Sequence, residues 1–398
     1  MKEFLQDNKY ELITTFFIFT NLFPEWFPQW MYYVAFVMIA LKFWKFEKVT
    51  HPKAWLFLTF IAFLWFTTIV GNALDFRLML FSLVLYMFRP TGSWDLHEYK
   101  GKLLKVIFWG FGLVTLANFY AKMAGINIKQ GAAWMEENRG FSEFSGFASH
   151  SMWTSCAAAL STLFFVSLAF RQSEMPKWQR YASYGMILVS LYVTMISASR
   201  SAFFLSLACS ALIIWMQTEK FSVLIRNAFI VGLTALLFVP VLMDNSAAMM
   251  NKKNALEVTT KNTSRDMLWK KRMAEFNSSP IIGIVFAAHG IGENKTVGRT
   301  ESGGGFVSVL AQTGIIGIIF IVLIWIAATM LPGNVGNDPD NILIYGGFVF
   351  FSIHSIVEGY MFQVGWYLCL IIWLIIGFMI EHKTMNENEN EEEEEAYC

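Results

Sequence analysis

The sequence is poor in charge for its size. Only 15% of its 398 residues are charged, whereas a soluble domain carries about 25%. The formal net charge is zero, so bulk charge indicates no nucleic acid or other polyanion as a partner. Apolar residues make up 56% and aromatic residues 17% of the chain. This composition indicates that lipid, rather than water, surrounds most of the protein.

Cysteine is scarce as well. The chain has four cysteines, none of them in a CxxC pair, and three lie inside apolar stretches. We therefore expect neither a disulfide nor a metal site, and no cofactor. A cleavable signal peptide is not expected either, because mixed acidic and basic residues precede the first apolar stretch and no small-residue cleavage site ends it.

Long apolar runs, by contrast, are abundant. They are continuous rather than alternating, which excludes membrane-spanning strands and predicts an all-α polytopic membrane protein of about 12 transmembrane helices. We expect a single transmembrane domain, residues 1–385, and an acidic disordered tail, residues 386–398. The predicted spans lie near residues 11–28, 30–46, 54–70, 74–90, 103–123, 148–170, 181–198, 201–217, 224–243, 304–331, 342–357 and 361–380.

The distribution of lysine and arginine predicts the orientation of these spans. With both termini inside, the inside connections are rich in basic residues except for 332–341, which has none, and the short outside turns at 22–29 and 358–361 also have none. One long polar loop, residues 244–303, then lies outside between spans nine and ten. Long loops translocate largely regardless of their charge, so its basic residues do not oppose this orientation.

Several ionisable residues fall at the predicted outer ends of spans. Arg200 lies at a tight turn between spans seven and eight, and Arg139 lies in the outer segment 124–147. His354 and Glu358 are four residues apart, hence on one helix face, at the end of span eleven. For each residue alone, a snorkelling or helix-capping side chain is the simpler interpretation. Their convergence on the side of the long loop favours a functional site.

The long loop carries the other candidates. An amphipathic helix is predicted from Arg265 to Phe276, with Arg272 on its polar side, and Pro280 ends it. A simpler interpretation is an interfacial helix that rests on anionic headgroups. That interpretation does not explain the triple glycine at 303–305, which lies at the membrane entrance.

Two charged residues, Arg299 and Glu301, lie within four residues before this triple glycine, and His289 lies in the flexible stretch before them. Glycine permits a close approach of the backbone to a ligand or to a moving segment. We therefore expect the chemistry of the protein to lie in this loop and at the span ends beneath it.

These segments resemble the O-antigen polymerase and O-antigen ligase superfamily, which are membrane glycosyltransferases acting on lipid-linked glycans. The resemblance covers about residues 130 to 375. It is carried by Ser199-Arg200-Ser201-Ala202, by Arg265 with Trp269 and Pro280-Ile281-Ile282-Gly283, by Leu310 with Gln312-Thr313-Gly314-Ile315-Ile316-Gly317, and by Arg139-Gly140-Phe141 with Ser149-His150-Ser151. Arg272 and Gly283 also show the spacing of an arginine, ten residues and a glycine that is typical of these enzymes.

The resemblance implies transfer of a glycan from undecaprenyl pyrophosphate to a hydroxyl of an acceptor glycan, on the outer face of a bacterial inner membrane. Arginine suits the pyrophosphate because its planar fork binds phosphate oxygens in a bidentate manner. The arginine candidates are Arg200, Arg265 and Arg272, then Arg299 and Arg139. Glu301 is the first candidate for the base, His289 and Glu358 are alternatives, and His354 is a further substrate-binding candidate.

Three functions remain open on the sequence. Ligases of the superfamily usually have a His-Asn pair where this chain has Glu301 and Ser302, which favours a polymerase, with a chain-length regulator as a candidate partner. A ligase acting on lipid A-core or on protein is the first alternative. A transporter or flippase of a lipid-linked glycan is the second, although no inverted repeat is visible. Asp338-Pro339-Asp340 is interpreted as a turn rather than a nucleotide-sugar motif.

Overall fold

The protein is helical throughout the part of the chain that the structure describes. The computed structural model describes residues 6–44, 51–72, 74–128, 144–171, 176–218, 264–286 and 304–397, with only the backbone of residues 264–267, 333 and 386–397. Within these ranges there is no strand, and a short 3-10 turn, Pro332–Asn334, accompanies the α-helices. The predicted all-α class is confirmed for these residues.

The described helices follow the predicted spans closely. They are α1 (Lys9–Thr20), α2 (Trp30–Trp44), α3 (Ala54–Val70), α4 (Phe76–Phe88), α5 (Trp94–Met123), α6 (Ser151–Phe170), α7 (Lys177–Ile196), α8 (Arg200–Met216), α9 (Ser264–Ser278), α10 (Gly305–Ala328), α11 (Pro339–Val357) and α12 (Tyr367–Tyr397). Every predicted span overlaps one of them except 224–243, which lies outside the described residues.

Five of the described helices are long and apolar enough to cross a membrane: α5, α6, α10, α11 and the part of α12 up to Met385. Helices α2, α3, α4 and α8 are equally apolar in character but shorter, with 10 to 17 residues. A chain with several such helices is a helical membrane protein.

The local sequence explains where helices begin. Asp75 precedes α4, and its carboxylate accepts a hydrogen bond from the Arg77 backbone N–H at 2.7 Å. His150 precedes α6 in the same way, since its Nδ1 accepts from the Met152 N–H at 3.1 Å. Such caps satisfy backbone donors that have no partner inside the helix. His150 thus acts as a helix cap.

The last helix extends further than the sequence indicates. The backbone of α12 continues to Tyr397, through the acidic run from Glu391 to Glu395, where the sequence predicts a disordered tail. Glutamate is a good helix former, and the preceding apolar turns of α12 supply a nucleus from which the helix propagates.

The chain divides into two compact units. The first comprises Met1–Tyr33, Leu103–Lys261 and Val335–Phe350, and the second comprises the remaining segments, Val34–Lys102, Asn262–Asn334 and Phe351–Cys398. In the first, α6 packs against α7 and α8. In the second, α10 packs against α3, α9 and α12, and α4 packs against α3 and α12.

Each unit has its own interior. In the first unit α6 is buried along almost its whole length, and a hydroxyl hydrogen bond of 2.8 Å joins Ser161 to Ser190 of α7. In the second unit an aromatic cluster surrounds Phe81, whose ring centroid lies 5.6 Å from Trp373 and 5.0 Å from Phe362. Edge-to-face aromatic packing of this kind stabilises a core beyond the apolar area that it buries.

Candidate functional site

The helix predicted in the long loop is confirmed as α9, and it ends at Ser278, just before Pro280. Its predicted polar side was wrong, because Arg272 is buried, whereas the apolar side chains of Trp269 and Met273 are 39% and 40% exposed. Two charged side chains of α9, Arg272 and Glu275, are fully buried. Arg272 Nη1 donates to both carboxylate oxygens of Glu275, each at 2.7 Å. Residues three apart lie on one helix face, so the pair neutralises both charges within a single turn.

The segment that follows α9 is built into the break of a membrane-spanning helix. Helix α10 is interrupted at Gly314, which has φ +64° and ψ −162°. Residues 280–286, which we call the inserted segment, lie at this break. Three backbone hydrogen bonds connect the two: Ile315 N–H to Pro280 O at 2.9 Å, Ile316 N–H to Ile281 O at 3.2 Å, and Ile284 N–H to Ala311 O at 2.9 Å.

Those bonds provide partners for backbone groups that a break in a membrane helix would otherwise leave unsatisfied. A broken helix exposes backbone donors and acceptors that lipid cannot satisfy, and each costs several kcal/mol when left alone. The inserted segment supplies the partners that the break removes. Irregular backbone at membrane depth is tolerated only where protein or a water-filled cavity covers it, and it is common at ligand sites.

Two glycines make this approach sterically feasible. Gly283 has φ +72°, and a Cβ at this position would overlap the backbone of Gln312 and Thr313. Gly314 is the reciprocal case, since a Cβ there would overlap the carbonyl of Ile281. A positive φ also disfavours every residue with a side chain. The two backbones therefore touch through glycine on both sides.

The end of the inserted segment reaches the aromatic cluster of the second unit. The Phe286 ring stacks on Phe81 with centroids 5.0 Å apart and lies 5.3 Å from Phe362. Phe286 is 1% exposed, and Val285 packs against Gly71. The segment is consequently anchored by apolar burial as well as by its backbone bonds.

The glycine-rich entrance of α10 packs closely against the end of α11. A Cβ on Gly305 would lie 2.6 Å from the Ser355 carbonyl, and one on Gly304 would lie 2.8 Å from the Ile356 carbonyl. The Trp269 indole nitrogen of α9 is also near Gly304, 3.4 Å from the same hypothetical Cβ. Helices α9, α10 and α11 therefore meet at this point.

Polar side chains are concentrated around this meeting point. His354 is fully buried, with Nδ1 3.2 Å from the Tyr360 hydroxyl, and Glu358 is 7% exposed. On α10, Gln312 Nε2 donates to Ser308 Oγ at 2.7 Å. Buried polar and ionisable groups in a membrane protein are costly, and they usually mark a functional site.

Three of the predicted site residues, Arg272, His354 and Glu358, belong to the second unit. Arg272 lies on α9, His354 on α11, and Glu358 directly after α11. Arg265 lies in the first turn of α9, and only its backbone is described. Arg200 is the first residue of α8, in the first unit, and its side chain is exposed. Arg139, His289, Arg299 and Glu301 lie outside the described residues.

Sequence reasoning missed four polar residues of this site: Glu275, Ser308, Gln312 and Tyr360. Glu275 was detectable, because its spacing of three from Arg272 is that of a helical ion pair. Ser308 and Gln312 were also detectable as a pair with a spacing of four. No sequence signal connects Tyr360 to His354, since a non-helical turn separates them.

In comparisons with known proteins, no family model matches the chain and no curated protein matches it.

Proposed function

We propose that this protein is a membrane glycosyltransferase that polymerises lipid-linked oligosaccharide repeat units, as in O-antigen, capsule or exopolysaccharide synthesis. One observation carries the proposal. The segment 280–284 and the segment 311–316, which separately resemble motifs of the O-antigen polymerase and ligase superfamily, are hydrogen-bonded to each other. The contact between these two segments, which are separate in the sequence, supports the proposal.

The proposal includes the membrane arrangement predicted from the sequence: about 12 spans with both termini in the cytoplasm of a bacterial inner membrane. The meeting of the α10 entrance with the end of α11 supports it, because neighbouring antiparallel spans place a beginning and an end on the same side. In this arrangement the site lies on the outer face, where the lipid-linked glycan is presented.

The proposed reaction needs positive charge at the pyrophosphate. The acceptor hydroxyl attacks the anomeric carbon of the donor glycan, the bond to the pyrophosphate oxygen breaks, and the pyrophosphate stays on the lipid. Arg265 is our first candidate for holding it, because it belongs to the first turn of α9, where backbone N–H groups also favour an anion. Arg272 lies seven residues further along the same helix face.

The burial of Arg272 limits the task that it can have. Arg272 is fully buried and bound to Glu275, so in this proposal it holds α9 in place rather than touching the substrate. Arg200, Arg299 and Arg139 are further candidates, taken from the sequence, for binding pyrophosphate or glycan. Preorganised cations in a poorly hydrated site stabilise the developing charge without reorganisation during the reaction.

The acceptor hydroxyl needs a base. Glu301 is our first candidate, and His289 and Glu358 are alternatives. Glu358 directly follows α11 and lies beside the glycine entrance, since its carbonyl oxygen would be 3.2 Å from a Cβ on Gly305. His354 then serves as a substrate-binding or orienting group, one helical turn before Glu358.

The decisive experiment supplies the purified protein with a repeat unit linked to polyprenyl pyrophosphate, without ATP, ion gradient or metal. We expect a ladder of longer lipid-linked glycans. Glu301→Gln should lower the rate by about 10²–10⁴ if Glu301 is the base. Arg265→Ala should also abolish the ladder, whereas Lys270→Gln, a matched exposed cation of α9, should retain it.

Other outcomes distinguish the alternatives. Transfer only to lipid A-core or to protein would identify a ligase. Movement of the intact lipid-linked glycan across a vesicle membrane, with no new glycosidic bond, would identify a transporter and contradict the proposal.

A further inference from the structure

At one end of the first unit, two cations pair with a single carboxylate. Asp340, in the first turn of α11, has its Oδ2 2.7 Å from the Lys105 Nζ of α5. Its Oδ1 accepts a hydrogen bond from Arg171 Nη2, directly after α6. The Asp338-Pro339-Asp340 motif therefore has its second carboxylate occupied by two cations. It is not available to chelate a metal for a nucleotide sugar.

Asp340 does not provide a hydrogen-bond partner for every donor of the basic side chains at this end. Arg171 Nε and Arg180 Nε are buried, and neither has a hydrogen-bond partner among the residues that the structure describes. Lys105 and Arg171 nevertheless keep 39% and 22% of their side chains exposed. Buried donors without a partner are rare in folded proteins, and a bound ion is one of their ordinary explanations.

Aromatic residues next to Arg180 indicate the depth in a bilayer at which the start of α7 lies. Trp178 and Tyr181, on either side of Arg180 in the first turns of α7, are 67% and 70% exposed. Exposed tryptophan and tyrosine at the end of a membrane helix occupy the headgroup level of the bilayer. The phosphate groups of phospholipids are found at that same level.

We propose that Arg171 and Arg180, supported by Lys105, bind the phosphate of an anionic phospholipid headgroup. The planar guanidinium fork fits phosphate oxygens, and its Nε–H is one of the donors that a bidentate contact uses. Clusters of basic residues between membrane helices bind such headgroups. This inference is independent of the proposed glycosyltransferase activity.

The test is a competition between phosphatidylglycerol and phosphatidylcholine for binding to the full-length protein in detergent. Native mass spectrometry measures how much of each lipid is bound. We expect the wild-type protein to prefer phosphatidylglycerol. Arg180→Gln should weaken that binding about fivefold, the effect of one basic residue near an anionic headgroup. Arg171→Lys keeps a cation beside Asp340 but removes the Nε donor, so it should weaken binding in the same direction.

The control is Lys9→Gln, which removes an exposed cation of α1 in the same unit and should leave lipid preference unchanged. Melting temperatures in phosphatidylcholine show that each variant is folded; if Arg180→Gln is not, Arg171→Lys carries the test. Equal binding of both lipids by the wild type, or unchanged preference in the folded variants, would overturn the proposal. If inorganic phosphate displaces phosphatidylglycerol at equal concentration, the ligand of this site is a free anion and not a lipid headgroup.

Discussion

At the scale of single residues, two buried ion pairs of the second unit show how membrane burial of charge is compensated. Lys100 and Glu381 are joined at 2.7 Å, and Glu381 also accepts from the N–H and hydroxyl of Thr91. Arg272 and Glu275 are joined by two hydrogen bonds within one helix. In both cases, burying the carboxylate or the cation without its partner would cost several kcal/mol of free energy, because isolated buried charges are strongly disfavoured.

The Arg272–Glu275 pair leads to a stability prediction. Glu275→Ala should destabilise the protein by about 3–5 kcal/mol, because it leaves the buried guanidinium uncompensated. The double variant Arg272→Met with Glu275→Leu should be far less destabilised, since both charges are removed together. Thermal unfolding in detergent measures the difference. Equal melting temperatures for the single and double variants would show that the two charges are not coupled.

The contact of the inserted segment with α10 leads to a second prediction. Gly283→Ala should destabilise by about 1–3 kcal/mol, because its Cβ would overlap the backbone of Gln312 and Thr313, which cannot move aside as a side chain does. Gly185→Ala in α7 is the matched control. Nothing lies within 4 Å of its Cβ, and alanine favours a helix over glycine by about 0.5–1 kcal/mol. A stable Gly283→Ala variant would contradict the close approach.

At the scale of elements, the break in α10 allows this helix both to pack as an apolar helix and to bind the inserted segment. Its regular turns span apolar surroundings, while the interruption at Gly314 accepts the inserted segment as a partner. A continuous helix would satisfy its own backbone and offer nothing to residues 280–284. The break therefore links the position of α9 to the apolar helices of the second unit.

Hydrogen exchange tests this linkage. Gly314→Ala disfavours the positive φ at the break, so the amides of Ile284, Ile315 and Ile316 should exchange faster than in the wild type. Gly365→Ala, in the same unit, has no atom within 4 Å of its Cβ and an ordinary φ, and should leave these amides unchanged. Unchanged protection in Gly314→Ala would mean that the bonds do not depend on the break.

At the scale of the whole molecule, the orientation in the membrane remains the main prediction. Glu25→Cys in the turn between α1 and α2 should react with an impermeant maleimide applied to intact cells. Lys177→Cys at the start of α7 should react only after the membrane is permeabilised. Both are exposed positions, and Cys156, Cys209 and Cys369 are buried, so a background without Cys398 suffices. The reverse labelling pattern would invert the topology.

The sequence by itself determined the helices of this protein, because long apolar runs satisfy their backbone only by local hydrogen bonds. It also predicted α9 and its end before Pro280, since both follow from helical periodicity and the missing proline donor. These are properties of neighbouring residues. Local patterns were therefore sufficient for them.

Only the tertiary structure decided which segments meet. Gly283 and Gly314 each look like ordinary loop or helix glycines, and their mutual contact depends on a fold that brings together residues about thirty positions apart. Lys100 looked like a basic residue of an inside connection, yet it is buried against Glu381, 281 positions away. Contacts across such separations depend on the packing of whole helices, which the periodicity of one segment does not encode.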